Sequence, residues 1–201
     1  MTALVLASTS PFRRQLLSKV IPEFECAAPQ VDESRWPGET AHQLVERLAI
    51  AKAQALKANY ADHILIGSDQ VAVIAGQGQD ILGKPGNEAN AIAQLERCSG
   101  RRVTFLTGLA VYHSGRDELQ HLVDSFHVQF RQLSTAEIEG YVRLEQPFNC
   151  AGSFKSEGLG ISLFEGLEGD DPNSLIGLPL IKLLSLLRKW GINPLLAAAA
   201  D

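Results

Sequence analysis

Cysteine is scarce in this chain. Its 201 residues include three, Cys26, Cys98 and Cys150. The number is odd, the spacings are long and no Cys-x-x-Cys pair occurs, which excludes a disulfide framework and a zinc-finger spacing and favours a reducing compartment. A basic surplus is also missing. The net charge of −5 argues against a general nucleic-acid binder, although a local basic cluster can still hold a small anion. No apolar run reaches membrane-spanning length. The start lacks a basic segment followed by an uninterrupted apolar stretch and a cleavage site, so no signal peptide is expected, and the expected location is the cytoplasm. The five histidines show no metal-ligand spacing. Missing too are the G-x-x-x-x-G-K-[ST] phosphate loop, the G-x-S-x-G elbow, the H-E-x-x-H helix and the acidic Nudix helix. There is no internal repeat, low-complexity linker or clear domain boundary.

Hydrophobic residues make up 45% and charged residues 20%, the balance of a soluble globular chain. At this length a core can form without covalent staples. Residues 3–7 read as a buried strand and 11–19 as a helix. Thr40 and Gln43 form a capping box before a long helix over roughly 41–58, with Leu44, Leu48, Ala51 and Ala55 as its apolar stripe. From His63, HILIGSDQVAVIAG is strand-like and is bounded by a Gly/Gln-rich turn. GKPG at 83–86 is a turn before a helix near 88–97 that stops at Gly100. RVTFLTGLAVYH and DSFHVQFRQL are strands joined around Ser114-Gly115, the second with clean alternation at Phe126, Val128 and Phe130. Ser134 and Glu137 form a second capping box. A Gly-rich loop, 150–160, precedes a short strand ISLF. The last helix runs from near Pro179 to Gly191, and residues from about 192 read as a flexible tail. The alternation predicts an α/β fold with a mixed sheet and flanking helices.

One stretch poses an electrostatic question. In LVLASTSPFRRQLL, Ser10 is a favoured N-cap and Pro11 a favoured first helical residue. Arg13 and Arg14 then place two cations at the helix end that is already positive. Backbone N–H groups at such a turn form an anion site, Ser8, Thr9 and Ser10 add donors, and the arginines add charge suited to phosphate. The plainer reading is a solvated first turn whose arginines reach nearby carboxylates. Asp69 raises a second question, because it interrupts an apolar run. A carboxylate in a buried strand is costly unless paired, hydrogen-bonded or bound to metal. The alternative is a tight turn, Gly67–Gln70, between two short strands. Asp32 and Glu33 are adjacent acids in a loop. Lys52 sits in the small apolar stretch AIAKAQAL and Lys84 in GKPG; each alone reads as a surface lysine. Gly152, Gly158 and Gly160 surround Lys155 and Glu157 and permit close backbone approach. Asp171 and Asn173 fit a turn that caps a helix.

Taken in order, LVLASTSPFRRQLL, VDES, RLAIAKA, IGSDQVAV, GKPGN, TGLAV, CAGSFKSEGLG and GDDPNSLIGLP resemble the motifs of the Maf family of nucleotide pyrophosphatases. The resemblance runs from about residue 3 to residue 190, and eight motifs in order are far more specific than any one. FECAAP, GSDQV and AGSFKSEG resemble the branch that acts on 7-methyl-GTP. The resemblance implies an inosine-triphosphatase-like fold, residues 1–201 as one domain of two lobes with a nucleotide cleft between them, and a homodimer. It implies hydrolysis of a nucleoside triphosphate to the monophosphate and pyrophosphate with a divalent cation, Mg²⁺ or Mn²⁺ with Co²⁺ as a further option. Asp69 then stands at the catalytic carboxylate as proton acceptor. Lys52 and Lys84 share the catalytic role, and Ser8, Arg13 and Glu33 line the nucleotide site, with Ser10 as a further donor. Phe12, Gln70 and Glu157 stand at positions that separate substrate branches. Glu33 and Asp69 are the expected metal oxygens. Arg14, about 100° further round the helix than Arg13, is expected to serve structure only. The other classes open to the sequence are a Maf enzyme acting on dTTP, UTP or CTP, and a nucleotide-binding regulator of cell division. The expected partner is a small nucleotide, with no nucleic acid and no membrane.

Overall fold

The computed structural model of the chain describes residues 3–75 and 80–197. LVLA becomes β1 (Leu4–Ala7), buried along its whole length. After helix α1 (Pro11–Ser18) and strand β2 (Glu25–Ala27) comes helix α2 (Ala41–Gln54). Strand β3 (Ile64–Ile74) follows, so β1 lies parallel to β2 on one side and to β3 on the other. Burial on both faces explains why β1 is uniformly apolar rather than alternating. The chain continues through β4 (Ile81–Leu82), α3 (Glu88–Cys98), β5 (Arg102–His113), β6 (Glu118–Phe130), α4 (Thr135–Glu145), β7 (Phe164–Glu168), α5 (Leu180–Arg188) and the short α6 (Pro194–Ala197). Among the described residues seven strands form one sheet in the order β2-β1-β3-β5-β6-β7, with β4 paired to β3. The β3–β4 and β6–β7 pairs are antiparallel, so the sheet is mixed, as the alternation predicts. No helix among the described residues is long and apolar enough to cross a membrane.

The chain divides into two compact units. The first takes residues up to Asp69, Thr107–Asp124 and everything from Gly177; the second takes Gln70–Leu106 and Ser125–Ile176. In the first, Val5, Ala7, Leu65, Ala110 and Tyr112 from the strands pack with Ala49, Ala53 and Leu56. Here α2 sits unusually close to the sheet. A Cβ at Gly67 would lie 2.2 Å from the Ala49 carbonyl oxygen, and one at Gly108 would lie 2.1 Å from that of Val45. Both clashes are with backbone, so they cannot relax by a rotamer change. Gly67→Ala is therefore expected to destabilise the fold by about 1–3 kcal/mol or more, read by urea unfolding; wild-type stability would contradict this approach. In the second unit, Phe105, Phe130, Phe154 and Phe164 pack edge to face, joined by Ala91 and Leu95 of α3 and by Ile138, Tyr141 and Val142 of α4. Edge-to-face geometry is the arrangement that ring quadrupoles favour.

Both capping boxes form, at Thr40/Gln43 and at Ser134/Glu137. Other expectations need correction. Helix α2 stops at Gln54 rather than near 58, and Lys57 N instead bonds Gln54 O at 3.1 Å, an i→i+3 closure that tightens the end. ISLF is not a strand. Leu159–Leu163 is a 3-10 turn, and strand structure begins only at Phe164. Gly160 packs against the Lys155 backbone, where a Cβ would lie 2.2 Å from its carbonyl oxygen, so the loop folds back before it can extend. The tail forms α6 over Pro194–Ala197; residues 198–201, like the Gly/Gln turn at 76–79, lie outside the described residues.

Candidate active site

The opening turn is held by its own hydroxyls. Ser8 Oγ accepts from Ser10 N at 3.1 Å, and Ser10 Oγ, as N-cap, accepts from Arg13 N at 3.4 Å. The two arginines then diverge. Arg14 is exposed, whereas Arg13 turns inward and its Nε donates to the Gly177 carbonyl at 2.8 Å. Ser68 Oγ donates to the same carbonyl at 2.9 Å. Gly177 has φ +109, where a Cβ would be strained and would lie 3.3 Å from Arg13 Nε. Arg13 is half-buried. Burial pulls its pKa down, and the charges of Asp69 and then Glu33 push it back up. The cation at the start of α1 is thus answered by two carboxylates of the same unit.

Asp69 lies within β3, which runs unbroken from Ile64 to Ile74. The Gly67–Gln70 turn is therefore excluded, and the carboxylate is carried by a buried strand. Lys52 reaches it from α2. Its ammonium donates to Asp69 Oδ1 at 2.7 Å and lies 2.9 Å from Glu33 Oε1. Asp69 is 8% exposed and Lys52 7%, which corrects the surface-lysine reading. The alanines around Lys52 are small because α2 must approach the sheet, and that approach delivers the ammonium to the carboxylate. Glu33 remains exposed. Burial raises the Asp69 pKa; Lys52, by charge and hydrogen bond, and Arg13 oppose it, and Glu33 adds to it. Burial and the Lys52 charge thus pull the Asp69 carboxyl in opposite directions.

The remaining expected residues sit elsewhere. Phe12 is half-buried on α1. Gln70 belongs to the second unit, and its Nε2 donates to the Ser174 carbonyl. Asp171 Oδ1 accepts from Asn173 N at 2.9 Å and Nδ2 at 2.8 Å, forming the expected turn into the 3-10 helix Pro172–Ile176. Lys84 and Glu157 are exposed in the second unit. Both act on the Cys150 thiol, whose pKa is raised chiefly by burial. The loop that carries Glu157 is pinned to α4: Lys155 N donates to Tyr141 Oη and Leu159 N to Glu145 Oε1, each at 2.9 Å. Ser68 and Gly177 are not legible from the sequence beside Arg13 and Asp69, because the Ser68–Gly177 and Arg13–Gly177 contacts join segments far apart in the chain. The one local hint was the glycine of GLP at Gly177.

No group of three or more His, Cys, Asp or Glu stands ready to hold a metal among the described residues. Glu33 and Asp69 offer two hard oxygens gathered on one cation, Lys52. That fits an ion such as Mg²⁺, which takes one or two carboxylates and completes its shell from water and phosphate.

A mixed α/β sheet that carries a buried Asp–Lys pair, a second acid and an inward arginine fits a protein that handles phosphate esters or anhydrides. The chain belongs to the Maf-like protein family, whose profile matches residues 3–190. That membership supports a nucleotide pyrophosphatase, a hydrolase. Among solved structures, a Ham1 protein from Staphylococcus aureus is similar at 18% identity over 65% of this chain and 73% of its own, with a TM-score of 0.46. A HAM1 protein from Coxiella burnetii is 18% identical over 78% and 89%, with a TM-score of 0.49. Protein VC0702 from Vibrio cholerae is 12% identical over 94% and 98%, with a TM-score of 0.41.

Proposed function

We propose that this chain hydrolyses 7-methyl-GTP to 7-methyl-GMP and pyrophosphate. The observation that carries the hydrolytic reading is the single Lys52 ammonium joining Asp69 and Glu33, with the Arg13 guanidinium held on the Gly177 carbonyl within the field of the same two carboxylates. In the reaction a water oxygen bonds to the α-phosphorus, the α–β anhydride bond breaks, and pyrophosphate leaves with the electron pair. Asp69 takes the water's proton. Arg13 and Lys52 neutralise charge that shifts toward the leaving pyrophosphate. Glu33 and Asp69 would hold a divalent cation, which supplies Lewis-acid neutralisation of the phosphates. Ser8 and Ser10 offer hydroxyls to phosphate oxygens. The family resemblance assigns Lys84 to phosphate and Gln70 and Glu157 to substrate choice.

The base preference rests on charge. N7-methylation makes guanine cationic, and the half-exposed ring of Phe12 offers it an aromatic face. A cation–π contact of about 0.5–2 kcal/mol corresponds to roughly 2- to 30-fold in kcat/KM. Glu157 adds a carboxylate for the cation or for the guanine N–H donors. The test compares 7-methyl-GTP, GTP, dTTP, UTP and CTP. A preference for 7-methyl-GTP that shrinks toward unity in Phe12→Leu is expected; equal values for 7-methyl-GTP and GTP, or a preference for dTTP, UTP or CTP, would reject the assignment.

A further inference from the structure

Glu33 lies in an exposed loop, yet the chain around it is held firmly from one side. Arg47 of α2 donates from Nε to Glu39 Oε1 at 2.6 Å, from Nη2 to Glu39 Oε2 at 2.9 Å, and from Nη2 to the Ser34 carbonyl at 3.0 Å. Glu39 is buried and also accepts from Trp36 N at 3.1 Å. Arg35 closes the loop by donating to the Glu39 carbonyl. The Trp36 ring covers the Arg47 guanidinium, 4.1 Å from ring centroid to Cζ. That contact explains why a tryptophan stands 59% exposed on the surface. Asp32 fixes the other side of Glu33 by accepting from Ser34 N at 2.9 Å and Ser34 Oγ at 2.6 Å. One helix therefore supplies both anchors, Lys52 to the Glu33 carboxylate and Arg47 to the backbone directly after it.

We propose that Arg47 and Glu39 are positioning residues, a clamp that holds the 32–39 loop so that Glu33 faces Lys52 and Asp69. This rests on the reading of Glu33 as part of the nucleotide site. A bidentate guanidinium–carboxylate fork fixes direction as well as distance, which a mobile acidic loop would otherwise lose. Without the clamp Glu33 still exists but samples many positions, so substrate capture suffers more than the chemical step.

The test uses Arg47→Met, Glu33→Gln and the double variant of the full chain, with kcat and KM measured separately and hydrogen exchange followed across residues 32–39 in the free protein. Arg47→Met is expected to raise KM more than it lowers kcat. It should also speed exchange at the Ser34 and Trp36 amides by about tenfold or more, the factor carried by one charge-assisted hydrogen bond. The double variant should match Glu33→Gln, because a clamp that acts through Glu33 has nothing left to lose. Losses that multiply in the double variant would mean that Arg47 acts elsewhere, for example through its own charge on Asp69, and would overturn the proposal. So would unchanged exchange, or Glu33→Gln at the wild-type rate. Arg47→Lys, which keeps the charge but not the fork, carries the same measurements if Arg47→Met does not fold. If the wild type turns over no nucleotide, the functional reading fails, and the exchange data still decide the clamp.

Discussion

Asp69→Asn is expected to lower turnover by about 10²–10⁴-fold, the range for loss of a positioned general base, while nucleotide binding persists. Asn keeps the shape and still accepts from Lys52 Nζ, but it cannot take a proton. The same substitution has an opposite effect on stability. The Asp69 carboxyl is raised in the folded chain because burial outweighs Lys52 and Arg13. An unfolded Asp ionises earlier, so stability is fully present below the ordinary value of 3.8 and is lost as pH rises through the folded value. The Asn variant escapes that loss. Its unfolding midpoint at pH 7 should equal or exceed that of the wild type, and the gap should close in acid. Paired activity and thermal-melt measurements check both halves. Near-normal turnover would remove Asp69 from catalysis, and a variant far less stable at pH 7 would contradict the electrostatic account.

Lys52→Gln is expected to have the second-largest effect. Lys52 is the strongest influence favouring ionised Asp69. Without it the Asp69 pKa rises further, so the acid limb of kcat/KM, already above 3.8 in the wild type, should move to higher pH. Turnover should fall by about 10²–10³-fold, the cost of losing one preorganised group at developing charge. Asp69→Asn leaves the Lys52 ammonium facing Glu33 Oε1 at 2.9 Å, whereas Lys52→Gln leaves the buried Asp69 carboxylate without its direct partner, so the lysine change should also cost about 3–5 kcal/mol at neutral pH. That deficit should shrink in acid, where Asp69 is neutral. Urea unfolding at pH 7 and pH 4 reads the difference, and an equal deficit at both would show that the loss is packing rather than charge.

Local signals carried much of the fold. The capping boxes at Thr40 and Ser134 and the Pro11 start are settled by residues within one turn, and each forms as read. β2 and β4 went unread because two or three residues are too short for a period. The choice between strand and turn at Gly67–Gln70 stayed open for a different reason. It is decided by α2 packing on Gly67, a contact with Ala49 and Ala53 that no window around Asp69 contains. Lys52 follows the same logic. Its alanine neighbours looked like helix filler, and only tertiary contact shows them bringing the ammonium to Asp69. The motif order names candidate site residues without saying how they meet. The link from Arg47 through Glu39 to the Glu33 loop left no local trace, since acid and base stand eight residues apart across a helix cap.

The most direct measurement is product identity. The purified chain would be incubated with 7-methyl-GTP and Mg²⁺ or Mn²⁺ and the products followed by phosphorus NMR. Equal amounts of 7-methyl-GMP and pyrophosphate, formed by the wild type and not by Asp69→Asn, are the expected result. Release of orthophosphate with a nucleoside diphosphate, or identical product formation by the Asp69→Asn protein, would contradict the account.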